Sequence, residues 1–155
     1  MKLPRLYIDT SVIGGCLDDE FAADSTRLVN QAKGKRVIFV LSDGVFEELL
    51  KAPKEVQDVL RSIPDEAIEV LMETALVAEL RDAYLTAKIL GPKSRMDAMH
   101  VAYATTARVD AIVSWNFKHI VRYDKIRAFN EINLRNGYGI LQIVSPKEVI
   151  FDEQE

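Results

Sequence analysis

Short apolar runs alternate along the sequence with longer segments of helical hydrophobic periodicity, which predicts alternating strands and helices. The apolar runs predict strands over residues 6–9, 36–41, 68–71, 111–114 and 140–144. The segments between them predict helices over residues 18–34, 45–50, 54–63, 74–90, 94–108 and 124–136. Helix-ending residues follow several of these segments, including Gly34, Gly91 and Gly137.

Strands and helices that alternate with short connections imply βαβ units, and therefore a mostly parallel sheet sandwiched between helices. We predict an α/β fold on this basis, while the strand order stays open. The length of 155 residues favours one domain, residues 1–155. The single cysteine, Cys16, excludes an internal disulfide, and the apolar runs are too short to span a bilayer. We therefore expect a cytoplasmic protein without a membrane partner.

The net charge of −4 argues at first against a nucleic-acid partner, but the charge is unevenly distributed. Residues 93–135 carry eight basic and four acidic side chains, a net charge of +4, which leaves −8 for the rest of the chain. Such a basic segment can hold a polyanion. Solvated helix faces would explain the same pattern, and the sequence leaves both interpretations open.

The first predicted strand ends in an acidic residue, Asp9, followed by the hydroxyl residues Thr10 and Ser11. The carboxyl ends of parallel strands form the edge where ligands bind in open α/β sheets. A carboxylate buried there without a partner would cost several kcal/mol, so Asp9 needs a cation, a donor or water. Polar residues predicted at the same edge are therefore candidates for one site shared with Asp9.

Two further acidic positions are predicted near the same edge. Glu47 and Glu48 lie in the first turns of the helix after the second strand, where acids are also favoured simply by the helix dipole. Their side chains point about 100° apart, so one of them can face the edge, and we favour Glu48. Asp97 lies near the start of a later helix, where the spacing to Ser94 also matches a capping box.

The fourth predicted strand ends in Ser114, and Asn116 follows two residues later. Asn116 offers an oxygen ligand, and it equally suits the N-cap of the segment that follows. Oxygen ligands without paired Cys or His favour Mg²⁺ or Mn²⁺ over zinc. The isolated histidine His100 lies one helical turn after Asp97 and is expected to pack in the core or to brace that carboxylate.

The ordered set of these motifs resembles the PIN domain family. The motifs are a strand ending in Asp-Thr-Ser, a Glu opening the helix after the second strand, an Asp followed by His and alanines, and Ser-x-Asn-Phe after a strand. The resemblance covers residues 5–145 and implies an α/β/α sandwich around a parallel sheet. Many bacterial and archaeal members of this family are Mg²⁺-dependent ribonucleases, among them the toxins of type II toxin–antitoxin pairs.

The resemblance implies roles for individual residues. The metal-binding and catalytic positions correspond to Asp9, Glu48, Asp97 and Asn116, where Asn116 replaces a fourth acid. The loss of that charge is expected to weaken cation binding. Supporting hydroxyls correspond to Thr10, Ser11 and Ser114. Contacts with single-stranded RNA are expected from Lys118, His119, Arg122 and Lys125.

The activity implied is metal-assisted hydrolysis of RNA phosphodiester bonds, with Mg²⁺ or Mn²⁺ as cofactor. The implied partners are an RNA substrate, a small antitoxin protein and a second copy of the chain. A binding module that has lost catalysis is the alternative, favoured by Asn116. A phosphatase of the haloacid dehalogenase type fits less well, because the position two residues after Asp9 is Ser11 rather than a second acid.

Overall fold

A computed structural model of the protein describes residues 2–151. Its centre is a five-stranded parallel sheet with the strand order β3-β2-β1-β4-β5. The strands are β1 (Arg5–Ile8), β2 (Ile38–Ser42), β3 (Ile68–Leu71), β4 (Ala111–Val113) and β5 (Gln142–Val144). The strand β1 is therefore central, with β2 and β4 as its hydrogen-bonded neighbours.

Within residues 2–151, seven α-helices connect and cover the strands. They are α1 (Thr10–Gly15), α2 (Ala22–Lys33), α3 (Asp43–Leu50), α4 (Lys54–Arg61), α5 (Ala75–Thr86), α6 (Arg95–Thr106) and α7 (Tyr123–Arg135). Short 3-10 turns lie at Asp65–Ala67, Pro92–Ser94 and Pro146–Glu148. No helix in the part of the chain that the structure describes is long and apolar enough to cross a lipid bilayer.

Two apolar clusters lie on opposite faces of the sheet, because successive side chains of a strand point to opposite faces. In β1, Leu6 and Ile8 pack with α1 to α4, whereas Tyr7 packs with α5, α6 and α7. In β2, Phe39 packs with α1 to α4, whereas Val40 packs with α5, α6 and α7. The sheet is buried on both faces, which confirms the predicted α/β fold as a three-layer sandwich.

The strand predictions agree with the structure to within two residues at each end, and the bounds of β3 are the predicted ones. The main error is α1, which the sequence analysis missed. Its residues include Gly14 and Gly15, which have low helix propensity. The helix nevertheless forms directly after β1 because the side chain of Asp9 caps its N-terminus.

Two other helix predictions extended too far. The helix predicted over residues 18–34 begins only at Ala22, and the one predicted over 74–90 ends at Thr86. In the second case Lys88 adopts a left-handed conformation with φ of 60°, which ends the helical path before the predicted Gly91. The interpretation of 1–155 as one domain stays a prediction, and residues 1 and 152–155 lie outside the described residues.

The strand order places the carboxyl ends of β2, β1 and β4 side by side. Ile8 of β1 is paired with Val113 of β4, so that Asp9 and Ser114 leave the same sheet edge as neighbours. On the other side of β1, β2 ends at Ser42, whose hydroxyl accepts a hydrogen bond from the Val45 backbone N–H at 3.1 Å and caps α3. The helix that carries Glu48 therefore also begins at this edge.

Candidate functional site

Asp9 is held at the centre of the carboxyl edge by hydroxyl donors from two parts of the chain. Its Oδ1 accepts hydrogen bonds from the Ser11 backbone N–H at 3.1 Å and from the Ser11 hydroxyl. Its Oδ2 accepts one from the Ser114 hydroxyl at 2.6 Å. The residue is only 6% exposed, so these donors compensate the loss of hydration. Asp9 therefore has a fixed position between β1 and β4.

The same two serines also fix the segment after β4. The Ser11 hydroxyl accepts a hydrogen bond from the Trp115 backbone N–H at 3.0 Å, and the Ser114 hydroxyl accepts one from the Asn116 backbone N–H at 2.9 Å. Each hydroxyl thus donates to Asp9 and accepts from the backbone. Thr10 is the first residue of α1 and is partly buried.

Asp97 lies in the first turn of α6 and faces the segment after β4. Its Oδ1 accepts a hydrogen bond from the Asn116 Nδ2 at 3.1 Å. The predicted capping box with Ser94 is wrong, because Ser94 at the helix start makes no side-chain capping bond. Tertiary contact with Asn116 takes the place of the local cap and turns Asp97 toward the sheet edge.

The pKa of the half-buried Asp97 carboxyl is raised above its ordinary value of 3.8, chiefly because burial disfavours the charged form. The negative charge of Asp9 raises it further. His100 and His119, together with the hydrogen bond from Asn116, act in the opposite direction. The influence of Asp9 and of both histidines on Asp97 indicates that these groups share one neighbourhood.

Asn116 uses both ends of its amide in the structure. Its Oδ1 accepts hydrogen bonds from the backbone N–H groups of Lys118 at 3.2 Å and His119 at 2.9 Å, while its Nδ2 donates to Asp97. The capping interpretation therefore describes a turn over these residues rather than the start of a helix. The amide nitrogen, and not the oxygen, faces the acidic side chain.

His100 lies on α6 one turn after Asp97, and the charges of all three predicted carboxylates act on it. Its Nδ1 is 2.8 Å from the hydroxyl of Tyr7, the β1 residue two positions before Asp9. Burial lowers the pKa of His100, against the opposing influence of Asp9, Asp97 and Glu48. The pKa of Tyr7 is raised, mainly by burial, so the phenol stays protonated. The hydrogen bond between the phenol and Nδ1 ties α6 to the central strand beside Asp9.

The sequence analysis did not find the Tyr7 partner of His100. Tyr7 reads as an ordinary residue of an apolar strand, and only the packing of β1 against α6 reveals the contact. Both glutamates of α3 are exposed, and Glu48 is the one whose charge acts on His100. The assignment of Glu48, rather than Glu47, as a ligand stays a prediction.

The basic residues named as RNA contacts differ in their surroundings. Lys118 is exposed and follows the Asn116 turn, and His119 is partly exposed beside it. Arg122 forms an ion pair with Asp124 at 2.8 Å. Lys125 donates from Nζ to the Ile89 backbone carbonyl at 2.6 Å. Lys118 is therefore the charge most directly available at the rim of the site.

The donor chemistry of this edge fits a hard divalent cation. Asp9, Asp97 and Glu48 supply carboxylate oxygens of the kind that Mg²⁺ and Mn²⁺ prefer. A cation would also offset the burial and the like charge that raise the pKa of Asp97. Across residues 2–151, however, no set of three or more His, Cys, Asp or Glu side chains already has the spacing of a metal site.

Fold and site together define a class of protein, the parallel α/β domains that carry acidic side chains at the carboxyl edge of the sheet. The sequence profile of the PIN domain matches residues 5–118. The match covers more than half of the chain, and the protein belongs to the PIN domain family, which includes nucleases. A comparison with curated proteins finds no match.

Two solved structures share the fold. One is VapBC2 from Rickettsia felis bound to a DNA fragment from its promoter, with a TM-score of 0.59, 15% sequence identity, and coverage of 91% of this chain and 98% of that chain. The other is VapC20 from Mycobacterium tuberculosis, a toxin that cleaves the sarcin–ricin loop, with a TM-score of 0.51, 15% identity, and coverage of 74% of this chain and 92% of that chain. At this identity the likeness shows the fold.

The raised pKa of Asp97 predicts that its ionised form destabilises the metal-free protein. A carboxyl whose pKa rises on folding binds more protons in the folded state, so stability falls as pH rises from its ordinary pKa of 3.8 through the raised folded value. We expect Asp97→Asn to raise the melting temperature at pH 7 in EDTA. The advantage should disappear as pH falls to 3.8.

Thermal unfolding followed by circular dichroism between pH 3.5 and pH 8 measures this effect. Glu131→Gln is the matched control, because Glu131 is an exposed acid on α7 that forms a surface ion pair with Arg135. A variant with Asn at position 97 that is no more stable than the wild type at neutral pH would contradict the prediction.

Proposed function

We propose that the protein is a divalent-metal-dependent endoribonuclease that hydrolyses phosphodiester bonds of single-stranded RNA. The main support is the hydrogen-bond chain at the carboxyl edge of the sheet, in which Ser114 contacts Asp9 and the next residue but one, Asn116, contacts Asp97. Membership of the PIN domain family supports a nuclease. The exposed Lys118 beside the crevice supports a polyanionic substrate.

Mg²⁺ or Mn²⁺ is the proposed cofactor, with Asp9, Asp97 and Glu48 as its protein ligands. When bound, such a cation screens the phosphate charge and lowers the pKa of a water molecule. Asp9 is positioned for this by three donated hydrogen bonds, and Asp97 is oriented by the amide of Asn116. Glu48 is exposed, so its carboxylate is the one with solvent access to accept a proton from water.

We propose that Asn116 positions Asp97 and acts as a weak metal ligand. Its amide oxygen already accepts two backbone hydrogen bonds. These two hydrogen bonds occupy the amide oxygen, and they therefore also support the second candidate function, an RNA- or protein-binding module with weakened catalysis. Cleavage assays with and without metal separate the two candidates.

We further propose a role as the toxin of a type II toxin–antitoxin pair, acting in the cytoplasm. The supporting observation is the shared fold with VapBC2 and VapC20. The expected partners are a small antitoxin protein and a second copy of the chain. An adjacent small gene whose product abolishes growth inhibition by this protein would support the toxin role.

The nuclease proposal predicts metal-dependent cleavage that requires Asp9. Mixed single-stranded RNAs should be cleaved with Mg²⁺ or Mn²⁺ and left intact with EDTA. Asp9→Asn should reduce the rate at least about 100-fold, because the first ligand loses its charge. The control Glu131→Gln, which removes an exposed acid outside the crevice, should cleave at the wild-type rate. Equal inactivity of the wild type and Asp9→Asn with either metal would contradict the nuclease function.

From the position of Asn116 we predict that Asn116→Asp lowers the stability of the metal-free protein and strengthens cation binding. One oxygen of the new carboxylate can accept the backbone N–H groups of Lys118 and His119, which places the other near Asp97. Repulsion between the two acids should lower the melting temperature in EDTA. Mn²⁺ should bind more tightly, with about 1.4 kcal/mol of added stabilisation for each tenfold gain in affinity.

Titration calorimetry with Mn²⁺ and unfolding with and without the metal measure both effects. Asn136→Asp provides a control at an exposed asparagine at the end of α7. An unchanged Mn²⁺ affinity in Asn116→Asp would show that position 116 does not face the cation.

A further inference from the structure

Three aromatic rings pack together beside the segment that contacts Asp9 and Asp97. The rings of Phe21 and Trp115 are stacked with centroids 4.1 Å apart, and the ring of Phe117 meets that of Trp115 edge-on at 6.1 Å. Trp115 is buried with 6% of its surface exposed, whereas Phe117 is 47% exposed. The middle ring of the stack is therefore buried, Phe21 at one end is partly buried, and Phe117 at the other end is exposed to solvent.

The middle ring of this stack is fixed in place. The indole Nε1 of Trp115 donates a hydrogen bond to the Ser25 hydroxyl at 2.8 Å. The indole lies so close to α1 that a Cβ at Gly15 would come within 2.8 Å of Nε1. A glycine at this position is thus required by the close approach of the indole. The exposed ring of Phe117 therefore packs against an indole that is fixed in position.

The stack is also tied to the carboxylates. The Trp115 backbone N–H donates to the Ser11 hydroxyl, which itself donates to Asp9. The next residue, Asn116, donates to Asp97. Phe117 therefore follows directly after a segment that contacts two of the proposed metal ligands, and the exposed Lys118 comes next in the chain.

An exposed phenylalanine by itself is common and needs no explanation. Here its ring packs edge-on against the buried Trp115, the preceding residue contacts a proposed metal ligand, and the exposed Lys118 comes next in the chain. An aromatic surface combined with positive charge is the chemistry by which proteins bind single-stranded nucleic acids. A base in a duplex is stacked on its neighbours and cannot lie on such a ring, whereas an unpaired base can.

We propose that Phe117 is a stacking position for one unpaired nucleobase of the RNA substrate, next to the phosphate that is hydrolysed. Lys118 contacts the adjoining backbone phosphate. This inference rests on the proposed nuclease function and adds a substrate requirement, an unpaired base beside the scissile bond. Stacking accepts any base, so the position selects single-stranded over paired RNA without reading sequence.

The experiment measures binding rather than cleavage. Fluorescence anisotropy in EDTA at low salt compares a labelled single-stranded 12-nucleotide RNA with a sugar–phosphate strand of equal length that lacks all bases. The proteins are the wild type, Phe117→Leu and Phe117→Tyr. Tyr138→Leu is the control for loss of an aromatic ring, because Tyr138 follows α7 and lies under the Arg108 guanidinium, away from the carboxylates.

We expect Phe117→Leu to weaken binding of the RNA roughly 5- to 150-fold, the range for loss of one base–aromatic contact. Binding of the base-free strand should be unchanged in this variant. Phe117→Tyr and Tyr138→Leu should bind both strands like the wild type. Trp115 is the single tryptophan of the chain, so its emission should change when the RNA binds and not when the base-free strand does.

Four results would overturn the inference. They are absence of RNA binding by the wild type, wild-type affinity in Phe117→Leu, an equal loss for both strands, and a loss in Phe117→Tyr. Cleavage by the wild type with Mg²⁺ or Mn²⁺ is followed in parallel. Absence of cleavage combined with base-dependent binding contradicts the nuclease function alone, whereas cleavage that continues without base-dependent binding contradicts the stacking position alone.

Discussion

The burial of Asp9 at the end of the central strand is the constraint on which the rest of the site depends. A buried carboxylate is tolerated only where donors replace its lost hydration, and hydrogen bonds to a charged acceptor are the strong ones. Here the donors come from Ser11 on α1 and Ser114 after β4. The need to satisfy one acid therefore ties α1, β1 and β4 together at a single edge of the sheet.

The other two acids are held less firmly than Asp9. Asp97 receives one hydrogen bond, from Asn116, and its pKa is raised by burial, while Glu48 is exposed on α3. The charges of all three acids act on His100, which is hydrogen-bonded to Tyr7 and is kept neutral by its own burial. The arrangement combines one rigid carboxylate with two adjustable ones, which suits a cation that imposes its own octahedral geometry on its ligands.

The sequence predicted the layer architecture and the common edge of Asp9 and Ser114, because parallel strands that alternate with helices end at one edge of the sheet. The strand order, which makes these two residues neighbours, was left open by the sequence. It did not predict α1, since the two glycines of that segment argue against a helix and the capping by Asp9 becomes visible only in three dimensions. Asp97 was matched with Ser94 by local spacing, whereas its partner in the structure lies 19 residues away. The Tyr7 contact of His100 spans 93 residues and has no local signature. Contacts between distant segments thus set the details of the site that sequence patterns leave open.

The proposed nuclease function depends on the carboxylates of Asp9, Asp97 and Glu48 binding one cation together. The most direct measurement is anomalous X-ray diffraction from crystals of the protein grown with Mn²⁺, which locates the metal independently of any activity. The account predicts a manganese peak bonded to carboxylate oxygens of Asp9 and Asp97 at about 2.0–2.3 Å, with Glu48 bonded directly or through water. Manganese bound elsewhere, or no peak at this edge at saturating Mn²⁺, would contradict it.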